Sequence, residues 1–371
     1  MMETGSTSQE MQARARLPRP SPPALPCAVQ LQVTAFSAGI DALNRRDGTV
    51  NRGVYSVADR LLRVRANPRP DSSGVRSADF VVDASRGLWA RVFSPAGTAA
   101  WARPPLPLVV YFHGGGFALF SAAQCYFDRL CRRLSRGIGA VVVSVEYRLA
   151  PEHPYPAAYD DAMDTLLFID ANGVAGLDDG VSVDLSSCFL AGESAGGNII
   201  HHVANRWAAA ASATSSVRLA GLLSVQPYFG GEERTESELR LDGVAPIVNL
   251  RRSDFWWKAF LPAGATRDHP AGATRDHPAA HVTDENAVLG TAFPPALVVV
   301  GGFDPLQDWQ RRYADVLRRK GKQVQVVEFP EGIHAFYLFP QLAASAEVIE
   351  DMREFVESNR ASSSTPESST R

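Results

Sequence analysis

Six short runs of apolar and largely β-branched residues recur along the chain, and helix-length segments separate most of them. Each run is apolar at successive positions, which is typical of a strand that is buried on both faces. Strands that alternate with helices predict an α/β fold, with a mostly parallel sheet covered by helices on both sides. The predicted strands are 107–112, 140–145, 188–191, 219–225, 296–300 and 324–329, and the predicted helices include 122–136, 157–170, 196–210 and 307–320.

The remaining segments predict how the chain is organised around that sheet. Residues 29–43 carry apolar side chains at steps of three and four, as one face of a helix does, and 79–83 with 88–93 alternate like a hairpin. The interval 227–293 interrupts the alternation, so we expect an insertion that packs over the carboxyl edge of the sheet. Within it the octapeptide AGATRDHP occurs twice in tandem, at 263–270 and 271–278.

The ends of the chain differ in composition from its middle. Residues 1–26 are poor in apolar side chains and then rich in proline, and residues 358–371 are rich in serine. Both compositions favour disordered tails, which leaves 27–357 as one folded domain.

Composition and charge exclude several classes of partner. The chain has 37 basic and 40 acidic side chains, a net charge of −3, without the basic surface that nucleic acids or anionic membranes attract. No apolar stretch is long enough for a transmembrane helix. The four cysteines, Cys27, Cys125, Cys131 and Cys188, share no metal-type spacing and predict free thiols. We therefore expect a cytoplasmic protein, with the nucleus as an additional location, that has no metal or cofactor, and the sequence indicates no protein partner.

The strongest local motif is Gly192-Glu193-Ser194-Ala195-Gly196, between a predicted strand and a predicted helix. A serine on such a sharp turn projects its hydroxyl from the sheet edge, beside the N–H groups of the helix that follows. The motif predicts that Ser194 is a nucleophile. The alternative is an ordinary serine in a glycine-rich turn.

A second motif, 113–117 (HGGGF), follows the strand 107–112. Consecutive glycines let backbone N–H groups face a developing negative charge, so this loop and the N–H of Ala195 predict an oxyanion hole. A phosphate-binding loop is the alternative, but no Lys-Ser/Thr pair follows. His113 is interpreted as a structural hydrogen-bonding residue of the loop.

A serine nucleophile needs a histidine base and an acid that orients the histidine, in the chain order serine, acid, histidine. His334 follows the last predicted strand through a short loop, whereas His281 lies in the insertion with no strand before it. Asp304 is the first acid after the strand 296–300, and Asp308 already lies in the next helix. Ser194, Asp304 and His334 are therefore the predicted triad. A helix-capping role for Asp304 and a structural role for His334 are the alternatives.

Other chemically capable residues are interpreted as structural. We expect Glu193 to face outward beside the nucleophile, although it could tune the site. His201 and His202 are expected to be packing or surface residues of a helix, Trp256 and Trp257 to be core or lid packing, and Asp160 and Asp161 not to bind a metal.

Taken together, the motifs resemble the hormone-sensitive-lipase branch of α/β hydrolases, and more narrowly the plant carboxylesterases. The residues that carry the resemblance are 113–117, 147–152 (YRLAPE), 155–161 (YPAAYDD), 192–196, 304–306 (DPL) and His334. The resemblance implies an α/β-hydrolase fold with an N-terminal helical lid at 27–60 and cofactor-free hydrolysis of a small, apolar or aromatic carboxylic ester through an acyl-enzyme. It supports the triad, and it implies Gly114 and Gly115 as oxyanion donors.

Two related families imply different functions. Residues 45–52 (RRDGTVNR) resemble the lid segment of gibberellin receptors, which lack the triad histidine and carry an Asp-Arg pair where this chain has Arg252-Ser253. Isoflavanone dehydratases are similar too, and some of them carry threonine at the nucleophile position. Hormone binding and dehydration in the same pocket are therefore the alternatives to ester hydrolysis.

Overall fold

An eight-stranded sheet forms the centre of the protein in a computed structural model that describes residues 18–45, 47–96, 104–177, 180–262 and 274–360. The strands are β1 Val75–Asp83, β2 Leu88–Pro95, β3 Leu106–Phe112, β4 Val141–Glu146, β5 Val183–Glu193, β6 Leu219–Val225, β7 Ala296–Phe303 and β8 Val324–Ile333. Their order across the sheet is β1-β2-β4-β3-β5-β6-β7-β8. The pairs β1–β2 and β2–β4 are antiparallel, and the other five are parallel.

The predicted α/β fold is confirmed, and all six predicted parallel strands are present. Their apolar runs are buried because helices cover both faces of the sheet. The predicted hairpin is also present as β1 and β2, but β1 begins four residues earlier than expected, at Val75. The early part of β1 contains buried Ser77, whose hydroxyl accepts a hydrogen bond from Arg132 Nη2 at 2.8 Å, and such a polar position breaks the alternation.

Nine α-helices lie within the described ranges. They are α1 Cys27–Leu43, α2 Arg52–Leu62, α3 Cys125–Leu134, α4 Ala157–Asn172, α5 Ala195–Ala210, α6 Glu236–Leu241, α7 Leu250–Phe260, α8 Gln307–Arg319 and α9 Ala344–Asn359. A π-helical turn, Ser135–Gly139, follows α3, and a 3₁₀ turn, Phe336–Leu338, follows β8. Within these ranges, none of the helices combines the length and hydrophobicity that a membrane span requires.

The segment between β6 and β7 contains two short helices with strong N-terminal caps. Thr235 and Glu238 form a reciprocal capping box on α6, and the Asn249 side chain accepts the N–H of Arg252 on α7. Phe260 of α7 stacks on Phe117 of the loop after β3, with ring centroids 3.7 Å apart. The aromatic residues of this insertion therefore pack at the carboxyl end of the sheet.

The N-terminal helices attach to the same end of the molecule. Both oxygens of Asp41 on α1 accept hydrogen bonds from Arg252 on α7, at 2.9 and 2.7 Å. On α2, the Arg52 guanidinium forms a bidentate pair with Glu152 and donates to the carbonyl of Ala118 in the glycine loop. The predicted tails lie mostly outside the described residues, although α9 continues to Asn359. All of the first AGATRDHP copy and the start of the second also lie outside them.

Candidate active site

Ser194 lies at the sharp turn that joins β5 to α5. Its backbone has φ 53° and ψ −119°, a strained conformation for a residue with a side chain. The turn closes tightly, since a Cβ on Gly192 would lie 2.2 Å from the Gly196 carbonyl oxygen, and one on Gly196 would lie 1.9 Å from that of Phe112. The N–H of Ser194 donates to the Val225 carbonyl at 3.0 Å, which ties the turn to the end of β6.

Asp304 follows β7 and is fully buried. Its Oδ1 accepts the N–H of Leu306 at 3.0 Å, and its Oδ2 accepts Nε2 of Gln310 at 2.8 Å. The same Oδ2 lies 2.7 Å from Nδ1 of His334. The carboxylate is thus held by the start of α8 and by a side chain of that helix while it contacts the imidazole.

His334 follows β8, and its loop is held by the residue that follows β6, two strands away in the sheet. The Gln226 side chain, directly after β6, donates to the Ile333 carbonyl and accepts the N–H of Ala335. Ser194 is also attached to the end of β6, so the serine and histidine loops share one support. Among the described residues no hydrogen bond connects the Ser194 hydroxyl with the imidazole, a contact that often tightens only when substrate binds.

The environment of His334 favours its protonated form. Burial lowers its pKa, but the Asp304 carboxylate raises it through charge and a hydrogen bond, and Glu193 raises it further. The pKa is therefore raised above the ordinary 6.5. An imidazole whose positive charge is stabilised in this way can accept a proton from a hydroxyl.

The glycine loop begins with a buried histidine. Nδ1 of His113 lies 2.8 Å from the Gly114 carbonyl, and its ring stacks on Tyr147 with centroids 4.5 Å apart. Burial lowers the pKa of His113 to about 4, so the ring is neutral at neutral pH and Nδ1–H donates to the loop. These contacts agree with the structural role expected for His113.

Glu193 was expected to face outward, and that prediction is wrong. The side chain is buried, and its Oε1 accepts the N–H of Gly114 at 2.6 Å. Its Oε2 accepts the hydroxyl of Tyr337. The carboxylate points beneath the glycine loop because β5 ends beside β3, and Glu193 is the last residue of β5. Gly114 therefore already uses the N–H group that the sequence analysis assigned to the oxyanion hole.

The structure places the competing residues elsewhere. His281 contacts Asp276 at 3.2 Å and the ring of Trp309, whereas Asp308 accepts the N–H of Ser237 at 2.9 Å. Asp161 is buried in an ion pair with Arg148. His201, His202, Trp256 and Trp257 pack among buried residues, as predicted for packing residues. In the described part of the chain, no three His, Cys, Asp or Glu side chains are arranged to hold a metal ion.

Sequence reasoning did not find Gln310, which donates to Asp304, Gln226, which bonds the residues on both sides of His334, or Tyr337, which donates to Glu193. Tyr337 stands three residues after His334 and Gln310 six after Asp304, so their proximity along the chain was a usable signal. Gln226 offers no such signal, because its contact with the histidine loop depends on β6 and β8 lying on either side of β7 in the sheet.

Comparison with known proteins shows which family this chain belongs to. A model of the family described as the alpha/beta hydrolase fold matches residues 109–338. Gibberellin receptor GID1C of Arabidopsis thaliana is 37% identical over 344 residues, which cover 90% of this chain and 94% of the receptor. Carboxylesterase 20 of the same plant is 34% identical over 304 residues, covering 80% and 88%. The chain belongs to the hormone-sensitive-lipase-like α/β-hydrolase family.

Solved structures agree with this membership. A hyperthermophilic esterase from the archaeon Pyrobaculum calidifontis is 28% identical, with a TM-score of 0.69, and the match covers 91% of this chain and 99% of the esterase. The family resemblance predicted from the motifs is confirmed. The protein is an esterase-like α/β hydrolase whose relatives include both hormone receptors and carboxylesterases.

Proposed function

We propose that the protein is a serine carboxylesterase that hydrolyses a small, apolar or aromatic ester. Ser194 Oγ attacks the ester carbonyl while His334 accepts the hydroxyl proton, and Asp304 orients the imidazole and stabilises its positive charge. The protonated imidazole then gives its proton to the departing alcohol, which leaves the acyl group on Ser194. Water, activated by the same histidine, attacks this acyl-enzyme and releases the acid.

One oxyanion donor of this proposal differs from those expected, since the N–H of Gly114 donates to Glu193. Gly115 and Gly116 have φ values of 106° and 59°, and within the described residues their N–H groups donate no hydrogen bond. Ala195 is the first residue of α5, where backbone N–H groups lack partners within the helix. We assign the oxyanion hole to the N–H groups of Gly115, Gly116 and Ala195.

One contact supports the proposal above the others: Asp304 Oδ2 lies 2.7 Å from Nδ1 of His334. The two residues are 30 positions apart, and their loops follow neighbouring strands that lead to the same sheet edge as the Ser194 turn. This contact leaves Nε2 of the ring as the nitrogen that can serve the hydroxyl.

The test is hydrolysis of p-nitrophenyl acetate and butyrate by the purified protein. Ser194→Ala should lower kcat by about 10³-fold or more. His334→Gln should cause a similar loss, whereas the matched variant His281→Gln should remain close to wild type. Mass spectrometry should detect one fluorophosphonate adduct on the wild type and none on Ser194→Ala. Turnover that survives Ser194→Ala nearly intact would refute the proposal.

Hormone binding is the second candidate, because a gibberellin receptor shares 37% identity over 90% of this chain. In this candidate α1 and α2 close over a bound gibberellin as a lid. Arg252, however, is committed to Asp41 and to the carbonyls of Ser37 and Ile247, so its guanidinium is not directed at a ligand. Calorimetry with gibberellins tests this candidate, and the absence of binding heat at micromolar protein would remove it.

A further inference from the structure

The carboxylate of Glu193 joins the two loops that flank the proposed nucleophile. Its Oε1 accepts the N–H of Gly114, 79 positions away in the loop after β3, at 2.6 Å. Its Oε2 accepts the hydroxyl of Tyr337, 144 positions away in the 3₁₀ turn just after His334. Glu193 therefore connects the glycine loop with the histidine loop, one residue before Ser194.

The hydrogen bonds around Glu193 match an ionised carboxylate. Tyr111 is the third group on its oxygens, with the hydroxyl 3.3 Å from Oε1. An ionised carboxylate accepts at both oxygens, and one N–H with two hydroxyls supplies donors to both. Burial raises the pKa of Glu193, and these donors oppose that rise. The Glu193 side chain is buried, so these three protein groups, rather than water, supply the hydrogen bonds to its carboxylate oxygens.

The negative charge of the Glu193 carboxylate also acts on the imidazole of His334. A positive charge on His334 lowers the pKa of Glu193, and the Glu193 carboxylate in turn raises the pKa of His334. On another side, Glu193 borders an apolar cavity between the sheet and helices α3 and α9, with Leu130, Leu134, Val348 and Met352 in its wall. Such surroundings screen charges weakly, so a carboxylate here acts more strongly on the imidazole than one in water.

We propose that Glu193 is a positioning residue of the reaction, which anchors the glycine loop through Gly114 and stabilises the protonated imidazole of His334. This inference rests on the proposed function, because the imidazole becomes protonated when Ser194 attacks. Asp304 holds the imidazole from one side, and Glu193 supplies a second negative charge that the triad alone does not include.

The pH dependence isolates this role because few neighbouring groups titrate near neutrality. The ionisable groups that face Glu193 or His334 are Tyr111 on β3, Cys131 on α3, Tyr147 on β4, Asp304 after β7 and Tyr337 in the 3₁₀ turn. Burial raises the pKa of all three tyrosines and of Cys131, so they stay protonated below pH 9. Burial also raises the pKa of Glu193 itself, so the rising limb of kcat/KM between pH 5 and 9 reports His334 and Glu193 together, and the titration of the His334 resonances separates the two.

The experiment is Glu193→Gln, which removes the charge and keeps an oxygen that can accept from Gly114. We expect the midpoint of the rising limb to move to lower pH by about half a unit or more, and kcat to fall about tenfold. Glu193→Asp keeps the charge but shortens the side chain, so its midpoint should stay near wild type while kcat falls. Exposed Glu354→Gln on α9 is the matched control and should change neither quantity.

A second measurement detects the effect of Glu193 on His334 without the need for substrate turnover. NMR titration of the imidazole resonances, with His334→Gln as the assignment variant, should show a lower pKa for His334 in Glu193→Gln. If Glu193→Gln does not fold, Tyr337→Phe is measured instead. This substitution removes one hydrogen-bond donor from the Glu193 carboxylate, so kcat should fall and the midpoint of the rising limb of kcat/KM should move. An unchanged midpoint and an unchanged His334 titration in the folded variant would overturn the role of Glu193.

The two proposals fail in different ways. Turnover that persists in Ser194→Ala refutes the serine esterase whatever Glu193 does. Turnover that requires Ser194, but with wild-type kcat and pH profile in Glu193→Gln, refutes only the positioning role.

Discussion

Gln226 holds the backbone on both sides of His334. Its Nε2 donates to the Ile333 carbonyl at 3.2 Å, and its Oε1 accepts the N–H of Ala335 at 2.8 Å. Both peptide groups belong to the loop that carries the imidazole, and Gln226 itself has φ 43° directly after β6. A side-chain amide is suited to this task because it offers one donor and one acceptor in a fixed plane.

Replacement of Gln226 should therefore impair catalysis more than substrate binding. Gln226→Leu removes both hydrogen bonds and leaves two buried peptide groups without partners, so kcat should fall about 10- to 100-fold with little change in KM. Gln226→Glu keeps the acceptor for Ala335 and should lose less. Steady-state kinetics on p-nitrophenyl butyrate measures both, and a Leu variant with wild-type kcat would contradict the role of this amide.

Asp304 and Asp308 offer a matched pair of substitutions near the start of the same helix. Asp304→Asn should lower kcat by about 10³- to 10⁴-fold, because an amide cannot stabilise the imidazolium and can impose the wrong tautomer. Asp308→Asn should stay within a few-fold of wild type, since its carboxylate contacts Ser237. Equal losses in the two variants would contradict the assignment of Asp304.

Buried His201 should make stability depend on pH. Burial lowers its pKa to about 3, against 6.5 as the ordinary value, so only the unfolded chain binds this proton between those values. Its contribution to stability is complete above pH 6.5 and is lost as the pH falls. From pH 7.5 to 5.5 one such histidine costs about 1.4 kcal/mol. Urea unfolding of His201→Gln should show a smaller loss over this range than wild type, whereas exposed His153→Gln should match wild type.

The docking of α1 should depend on Arg252 more than on its neighbour Arg251. Both pair with Asp41, but the Arg252 side chain is 7% exposed and that of Arg251 is 77% exposed. Exposed pairs contribute at most about 1 kcal/mol, whereas loss of buried Arg252 also removes its hydrogen bonds to the carbonyls of Ser37 on α1 and of Ile247. Hydrogen exchange of the α1 amides should accelerate clearly in Arg252→Ala and little in Arg251→Ala. The reverse order would contradict this account.

Strand positions and the site loops could be predicted from sequence for one physical reason. A buried parallel strand must be apolar at successive positions, and its carboxyl end must meet those of its neighbours. Hence Asp304 and His334 could be expected to lie near each other from their places after β7 and β8. The helices α6 and α7 were not predicted, because α6 has only six residues and α7 lacks a regular aliphatic spacing, with its aromatic residues adjacent at 255–257.

The direction of individual polar groups could not be predicted in the same way. Whether Glu193 points outward depends on Tyr111 and Tyr337, which are 82 and 144 positions away. Likewise, which N–H groups of the glycine loop remain available depends on torsions that glycine adopts freely in both senses. Tertiary contacts decide both, and the sequence could not show that the N–H of Gly114 donates to Glu193.

The pairing of β6 with β7 separates a change in the segment that joins these strands from a change in the position of the strands themselves. Four aligned residue pairs, from Leu222 with Ala296 to Val225 with Val299, keep these strands adjacent although a long segment joins them. A change in the length of that segment leaves the pairing of the two strands in place. The connection between β6 and β7 can therefore vary in length while the strand ends that precede Gln226 and Asp304 stay side by side.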